Sequence, residues 1–248
     1  MIDIVRHNDR HNVVSLYTRS RGRMAFLVPV GKSRQGKARN AVITNMACLT
    51  ADINIRGGKE LYHLGNPTPL RLWHGIYFNP VKNSLLFFIT DFCNRLLRQS
   101  PPDAALWDFI YKSLEVLDSL PASRVANFHI AFLSQMLPFL GISPAVEADS
   151  GRIRNRKAAD GLLLFDMMSG TMIDPELPAG LQRRILLTPR ESAFVPLLSR
   201  INYTNMHRYR LRGDERQEVI DGLLRYYSLH LPLPSSLPSL DILRDLFV

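Results

Sequence analysis

Lysine and arginine residues are concentrated at the amino terminus of this chain. Their number and spacing indicate that this segment binds a polyanion. The first 40 residues contain Arg6, Arg10, Arg19, Arg21, Arg23, Lys32, Arg34, Lys37 and Arg39. Only Asp3 and Asp9 oppose these nine charges, so this stretch carries +7 of the net charge of +9. Clustered cations gain free energy by releasing the counterions condensed on phosphates. The charge distribution therefore predicts a nucleic acid as partner.

Two local patterns could place these cations together. Arg19, Arg21 and Arg23 alternate across a predicted strand-turn-strand passage, so their side chains could share one face. Four more, Lys32, Arg34, Lys37 and Arg39, lie in a predicted loop at 31–39 that contains Gly31 and Gly36. The same residues would also suit a solvated surface loop. Likewise, Phe26 could either stack on a base or fill the core of a barrel.

Other kinds of site find little support in the sequence. Gly31-Lys32-Ser33 resembles the end of a phosphate-binding P-loop, but Phe26 occupies the position where that loop requires its first Gly. The seven His residues are scattered, and no Ser/His/Asp set or acidic cluster suits a hydrolase or a two-metal nuclease. Cys48 and Cys93 are too few for a disulfide scaffold or a CxxC zinc site, and we expect both to be buried. We therefore predict no catalytic residue, no cofactor and no metal.

The elements that must position the cations are short strands. Strand-like segments at 12–17, 24–30, 41–52 and 60–64 alternate with turn residues, which predicts a small antiparallel barrel over residues 1–78.

The pattern changes at Asn79-Pro80, and residues 79–248 are predicted to form a mainly helical domain. Helices are predicted at 81–99 and 103–120, and a third ends near Gly141. A basic loop with Arg152, Arg154, Arg156 and Lys157, a short hairpin near 162–173, and helices beginning at Thr188, Asp214 and Ser239 complete the prediction.

The order of short motifs along nearly the whole chain is similar to that of the RecO family of recombination mediators. The motifs are Tyr17-Thr18-Arg19 with Gly22, Phe26 and Gly31; Asn127-Phe128-His129 with Phe132-Leu133 and Phe139-Leu140-Gly141; and Tyr226-Tyr227 with His230-Leu231-Pro232, Leu240, Leu243, Arg244 and Phe247.

This resemblance implies an α+β protein with an N-terminal OB-fold β-barrel followed by a mainly α-helical domain. It implies a non-enzymatic mediator that binds single- and double-stranded DNA and anneals strands coated by single-strand binding protein. With RecR, such a mediator helps to load the RecA recombinase. The DNA contacts carried over by position are Arg19, Arg21, Arg23, Lys32, Arg34, Lys37 and Arg39.

The chain departs from the family pattern in two places. Some members hold a four-cysteine zinc site near 165–178, where this chain has no Cys, so we expect a locally packed hairpin without zinc. Met1 falls where the first barrel strand of the family is already under way. We therefore expect either a shortened strand with an open edge or a natural start further upstream.

Three other functions stay open at this point. The helical domain could be a docking platform for RecR or single-strand binding protein, the barrel could bind RNA, or the chain could be an unrecognised nuclease. The sequence has no run of about 18 apolar residues and no signal-peptide pattern, so we expect a soluble cytoplasmic protein without a membrane partner.

Overall fold

The computed structural model describes residues 2–31, 33–55, 61–98, 100–145, 163–174, 183–234 and 236–246. The chain divides into two compact units. The first comprises Met1–Ala122 and Ser239–Leu243, and the second comprises Ser123–Pro238 and Arg244–Val248. No helix in the described part of the chain is both long enough and apolar enough to cross a membrane.

The first unit contains a five-stranded sheet. Its strands are β1 (Asp3–Arg6), β2 (His11–Thr18), β3 (Gly22–Pro29), β4 (Cys48–Ile53) and β5 (Leu61–Arg71), in the order β1-β2-β3-β5-β4. Helix α1 (Arg34–Ala41) connects β3 to β4. All neighbours are antiparallel except β3 and β5, which are parallel. This is the five-stranded, partly open barrel of an OB-fold, as predicted.

One face of the sheet forms the core of the barrel. Phe26 is wholly buried there, so it is a core residue and not a stacking platform. The other members of the core cluster are Val14, Leu16, Val28, Ile43 and Leu64. Strands β1 and β4 end the sheet order, and no pairing joins them among the described residues, so the described sheet is open between these two strands.

The predicted loop at 31–39 is wrong, because residues Arg34–Ala41 form helix α1. The Ser33 hydroxyl accepts a hydrogen bond from the Gly36 N–H at 3.1 Å and caps the helix. Position 36 lies inside the helix but requires glycine, because a Cβ there would lie 2.5 Å from the Cα of Gly31. Most other residues of α1 are Arg, Gln, Lys or Ala, which have high helix propensity. The helix therefore tolerates the cost of about 1 kcal/mol that a glycine adds.

Two strand predictions also need correction. The strand predicted at 41–52 begins only at Cys48, because α1 and a turn with Met46 in the left-handed region (φ 53°) occupy the residues before it. The strand predicted at 60–64 begins at Leu61 and continues to Arg71, although it contains Pro67 and Pro69.

Three helices follow β5 in the first unit: α2 (His74–Tyr77), α3 (Pro80–Leu96) and α4 (Ala104–Ser119). The carboxamide oxygen of Asn79 caps α3 by accepting from the Lys82 N–H, and the Asp103 carboxylate caps α4 by accepting from the Leu106 N–H. Strands give way to helices close to the predicted boundary at residue 79, whereas the compact unit extends to Ala122. The division into domains 1–78 and 79–248 stays a prediction.

The second unit begins with α5 (Phe128–Met136), which a 3₁₀ turn at Leu137–Leu140 extends to Gly141. Gly141 has a φ of 69°, the left-handed cap that the sequence predicts. Helices α6 (Pro189–Leu198) and α7 (Gly213–His230) follow, and α8 (Pro238–Leu246) ends the described chain. A capping box between Thr188 and Glu191 starts α6 at the residue where the sequence predicts a helix to begin. Helix α7 starts one residue before the predicted Asp214.

The predicted hairpin is present as β6 (Leu164–Asp166) and β7 (Thr171–Ile173). The buried Asp166 carboxylate accepts hydrogen bonds from the Ser169 hydroxyl at 2.8 Å, the Ile185 N–H at 3.0 Å and the Met168 N–H at 3.2 Å. Burial raises the pKa of Asp166, but these hydrogen bonds outweigh burial and leave the pKa below its usual value. The carboxylate therefore holds the turn of the hairpin and the chain at Ile185 together.

Within the described ranges, no group of three or more His, Cys, Asp or Glu could hold a metal ion. The absence of zinc stays a prediction. The basic group at 152–157 lies outside the described residues.

A buried polar group connects α5 to α7 in the second unit. The Asn127 amide donates to the carbonyls of Met206 at 3.0 Å and Tyr209 at 2.7 Å, and its oxygen accepts from the Arg216 Nε at 3.1 Å. His129 is 1% exposed. Burial, with the charge of Arg216, lowers the pKa of His129 to about 3, so the folded protein holds this imidazole neutral.

Candidate nucleic-acid interface

The turn between β2 and β3 presents the first group of candidate cations. The Thr18 hydroxyl accepts from the Arg21 N–H at 3.1 Å and donates to the Gly22 carbonyl at 3.0 Å. Gly22 has a φ of 67°, and a Cβ there would lie 2.9 Å from the Ser100 carbonyl oxygen. This packing leaves Arg21 at the exposed tip of the turn, where its side chain makes no ion pair with another described residue.

Arg19 is exposed but already paired. Its Nε and Nη2 each donate to a different oxygen of Asp108 at 2.9 Å. Hydrogen bonding and charge in this pair raise the pKa of Arg19, and the hydrogen bond from Arg19 lowers the pKa of Asp108. Arg19 must therefore leave a carboxylate before it can use the same two donors on a phosphate.

Arg23 is half-buried and serves the fold of the first unit. Its Nη1 donates to the Asn94 carbonyl at 2.7 Å and its Nη2 to the Ser15 hydroxyl at 3.2 Å, with Asp3 at 3.9 Å. Burial lowers the pKa of Arg23; Asp3 opposes this shift and the charge of Arg98 adds to it. These contacts use Arg23 within the first unit, whereas Arg19 and Arg21 are exposed.

Helix α1 carries the second group. Arg34 and Lys37 are exposed, and neither makes an ion pair with a residue that the structure describes. Lys32 and the side chain of Arg39 lie outside the described part of the chain.

The two groups lie near opposite ends of the β2–β3 ribbon. Arg19 and Arg21 follow Thr18, where β2 ends, whereas α1 follows Pro29, where β3 ends. Seven residue steps at about 3.3 Å each separate these ends by about 23 Å. The exposed cations thus form two groups along the ribbon and not a single cluster.

The structure adds two cations to the turn group that the sequence reasoning missed. Arg98 is exposed two residues before Ser100, which packs on Gly22, and Lys112 is exposed one helical turn after Asp108 on α4. Both lie in the helical sequence, where no charge cluster indicates them. Only the fold brings them to the β2–β3 turn.

Comparison with known proteins identifies the family. The family model described as the C-terminal part of recombination protein O matches residues 77–240. A DNA repair protein RecO of Phocaeicola vulgatus is 29% identical over 247 residues, covering 100% of this chain and 96% of that protein. A DNA repair protein RecO of Porphyromonas gingivalis strain W83 is 30% identical over 243 residues, covering 97% and 94% of the two chains. The chain belongs to the RecO family.

Proposed function

We propose that this protein is a DNA-binding recombination mediator in DNA repair that binds and anneals single-stranded DNA and helps to load recombinase, without a catalytic step of its own. The observation that carries the proposal is the presence of exposed cations at both ends of the β2–β3 ribbon of an OB-fold. OB-folds bind strands along these same two strands, through cationic grooves.

The exposed cations are the strongest candidates for phosphate contacts. Arg21, Arg34 and Lys37 can reach a phosphate without breaking an ion pair with any described residue. Lys32 and Arg39 remain proposed contacts by position. Arg23 is the weakest of the seven, because two of its N–H groups are already hydrogen-bonded within the first unit.

A docking function has its own supporting observation. The Phe78 side chain is 84% exposed, and its ring stacks on that of His74 with centroids 6.2 Å apart. Exposed aromatic rings are enriched at protein–protein interfaces. RecR and single-strand binding protein are the partners that we propose for such contacts.

The test of DNA binding is its salt dependence. Each phosphate contact to a single strand contributes about 0.7 to the slope of log affinity against log salt. Replacing Arg21, Arg34 and Lys37 with Ala should therefore reduce the slope by about 2. The matched control replaces the exposed Arg200, Arg208 and Arg210 with Ala, which removes the same charge from the second unit and should leave the slope unchanged.

Annealing of complementary strands coated by single-strand binding protein tests the mediator function with the same variants. Slower annealing by the first variant, but not by the control, supports the proposal. Equal slopes and equal annealing rates for wild type and both variants refute it in favour of docking. Preferential binding of RNA would favour the RNA-binding alternative, and metal-dependent loss of labelled DNA would favour a nuclease.

A further inference from the structure

The pair between Arg19 and Asp108 has the geometry of a phosphate contact. The guanidinium presents two parallel N–H donors to two oxygens, each at 2.9 Å. Arginine uses the same two-pronged arrangement for carboxylates and for phosphates. The Asp108 carboxylate therefore occupies the positions that two phosphate oxygens would take.

The pair is also easy to open. The side chains of Arg19 and Asp108 are 60% and 39% exposed. Exposed ion pairs of this kind contribute little to stability, because water competes for both partners and salt screens them. A polyanion that raises the local density of phosphate can therefore displace the carboxylate at small cost.

Asp108 has a second cation within reach. Lys112 lies four residues later on α4, and a carboxylate four residues before a lysine is a favourable helical pair. The Lys112 charge already contributes, after the Arg19 hydrogen bond, to the lowered pKa of Asp108. When Arg19 leaves, the Asp108 carboxylate keeps a neighbouring positive charge.

We propose that Asp108 is an internal stand-in for phosphate, which holds the Arg19 guanidinium when the protein is free and releases it to the DNA backbone in the complex. The inference rests on the proposed function and adds a regulatory element to it. Asp108 weakens DNA binding by the cost of the exchange, and it keeps the Arg19 side chain ordered near the β2–β3 turn until DNA arrives.

Single-strand affinity and its salt dependence test the proposal in a double-mutant cycle of the full chain. We expect Asp108→Asn to tighten binding by about 1.5- to fivefold, the range set by measured couplings of exposed pairs. Arg19→Ala should weaken binding and reduce the salt slope by about 0.7. In the Arg19→Ala background, Asp108→Asn should bring no gain. Asp108→Ser provides a second substitution, and circular dichroism verifies the fold of each variant.

Glu115→Gln is the matched control, because it removes one negative charge from the same helix and opens a different ion pair, that with Arg71, while it leaves the Arg19 pair intact. Equal tightening by Glu115→Gln and Asp108→Asn, or a gain that persists without Arg19, would mean that Asp108 acts only through overall charge. Weaker binding by Asp108→Asn would mean that it positions Arg19 for DNA. Each of these results overturns the proposal. Failure of wild type to bind DNA would instead overturn the proposed function.

Discussion

The His129 imidazole is buried in its neutral form, so the free energy of unfolding of the second unit should depend on pH. The folded pKa is about 3, whereas the ordinary value is 6.5. Between these values the unfolded chain binds a proton that the folded chain does not, so stability rises with pH and is lost as pH falls below 6.5. Each unit of pH is worth about 1.4 kcal/mol, so going from pH 8 to pH 5 should cost about 2 kcal/mol.

Urea denaturation of wild type and His129→Gln at several pH values between 8 and 5 measures this cost. The variant is less stable at pH 8 because it disturbs a packed site, but it should lack the additional loss of about 2 kcal/mol at pH 5. Asp166 and Glu191 also have lowered pKa values, and their contributions cancel in the comparison because both proteins contain them. His207→Gln, at an exposed position, is the control and should behave as wild type.

NMR titration of the His129 ring examines the same reasoning at a single residue. The ring carbon-bound proton should keep its chemical shift from pH 8 down to the onset of unfolding. A midpoint near 6.5, or equal pH-dependent losses for wild type and His129→Gln, would show that the folded protein accommodates the charged ring and that the burial argument is wrong.

Two further predictions concern the residues that hold the turns. Gly22→Ala adds a Cβ 2.9 Å from the Ser100 carbonyl oxygen, at a residue with a positive φ. We expect it to destabilise the first unit by about 1–3 kcal/mol, measured by urea denaturation with tryptophan fluorescence. An unchanged denaturation midpoint would contradict the close packing. Asp166→Ala leaves the Ile185 N–H without its carboxylate acceptor, and amide hydrogen exchange at Ile185 should accelerate by at least about tenfold. Asp166→Asn, which keeps an acceptor oxygen, should exchange more slowly than Asp166→Ala, and equal rates would argue against the hydrogen bond.

The sequence predicts those elements whose signals are local. Asp103 caps its helix, Thr188 and Glu191 form the capping box, and Gly141 ends the helical segment after α5 with a positive φ. Each of these depends on residues within four positions of one another. Patterns at this range therefore indicate the start of α4 and α6, the end of the segment after α5, and the presence of β2 to β5, but not β1, α1 or α2.

Helix α1 shows why local reasoning fails elsewhere. Its residues are polar on every side, so no apolar stripe indicates a helix. Two glycines nearby favour a turn in the sequence, but the structure uses them for a close contact between Gly31 and Gly36. A glycine required by packing and a glycine required by backbone conformation are indistinguishable in a single sequence.

The candidate interface shows the same limit with greater consequence for function. Arg19 is paired with a residue 89 positions away and Arg23 with a carbonyl 71 positions away. The sequence alone predicts all three of Arg19, Arg21 and Arg23 as DNA contacts, because it shows only that each is a cation in the same cluster. Only the fold distinguishes Arg23, which is hydrogen-bonded to α3, from Arg21, which is exposed at the surface.

The salt dependence of DNA binding reports this difference directly, because a cation contributes to the slope only if it neutralises a phosphate in the complex. We expect Arg21, Arg34 and Lys37 together to contribute about −2 to the slope, and we expect Arg19 to bring this joint contribution to about −2.8 if Asp108 releases it. Arg23 adds nothing while it stays bonded to Asn94 and Ser15. The partners that each guanidinium already has within the protein therefore determine how much of the amino-terminal charge reaches the DNA.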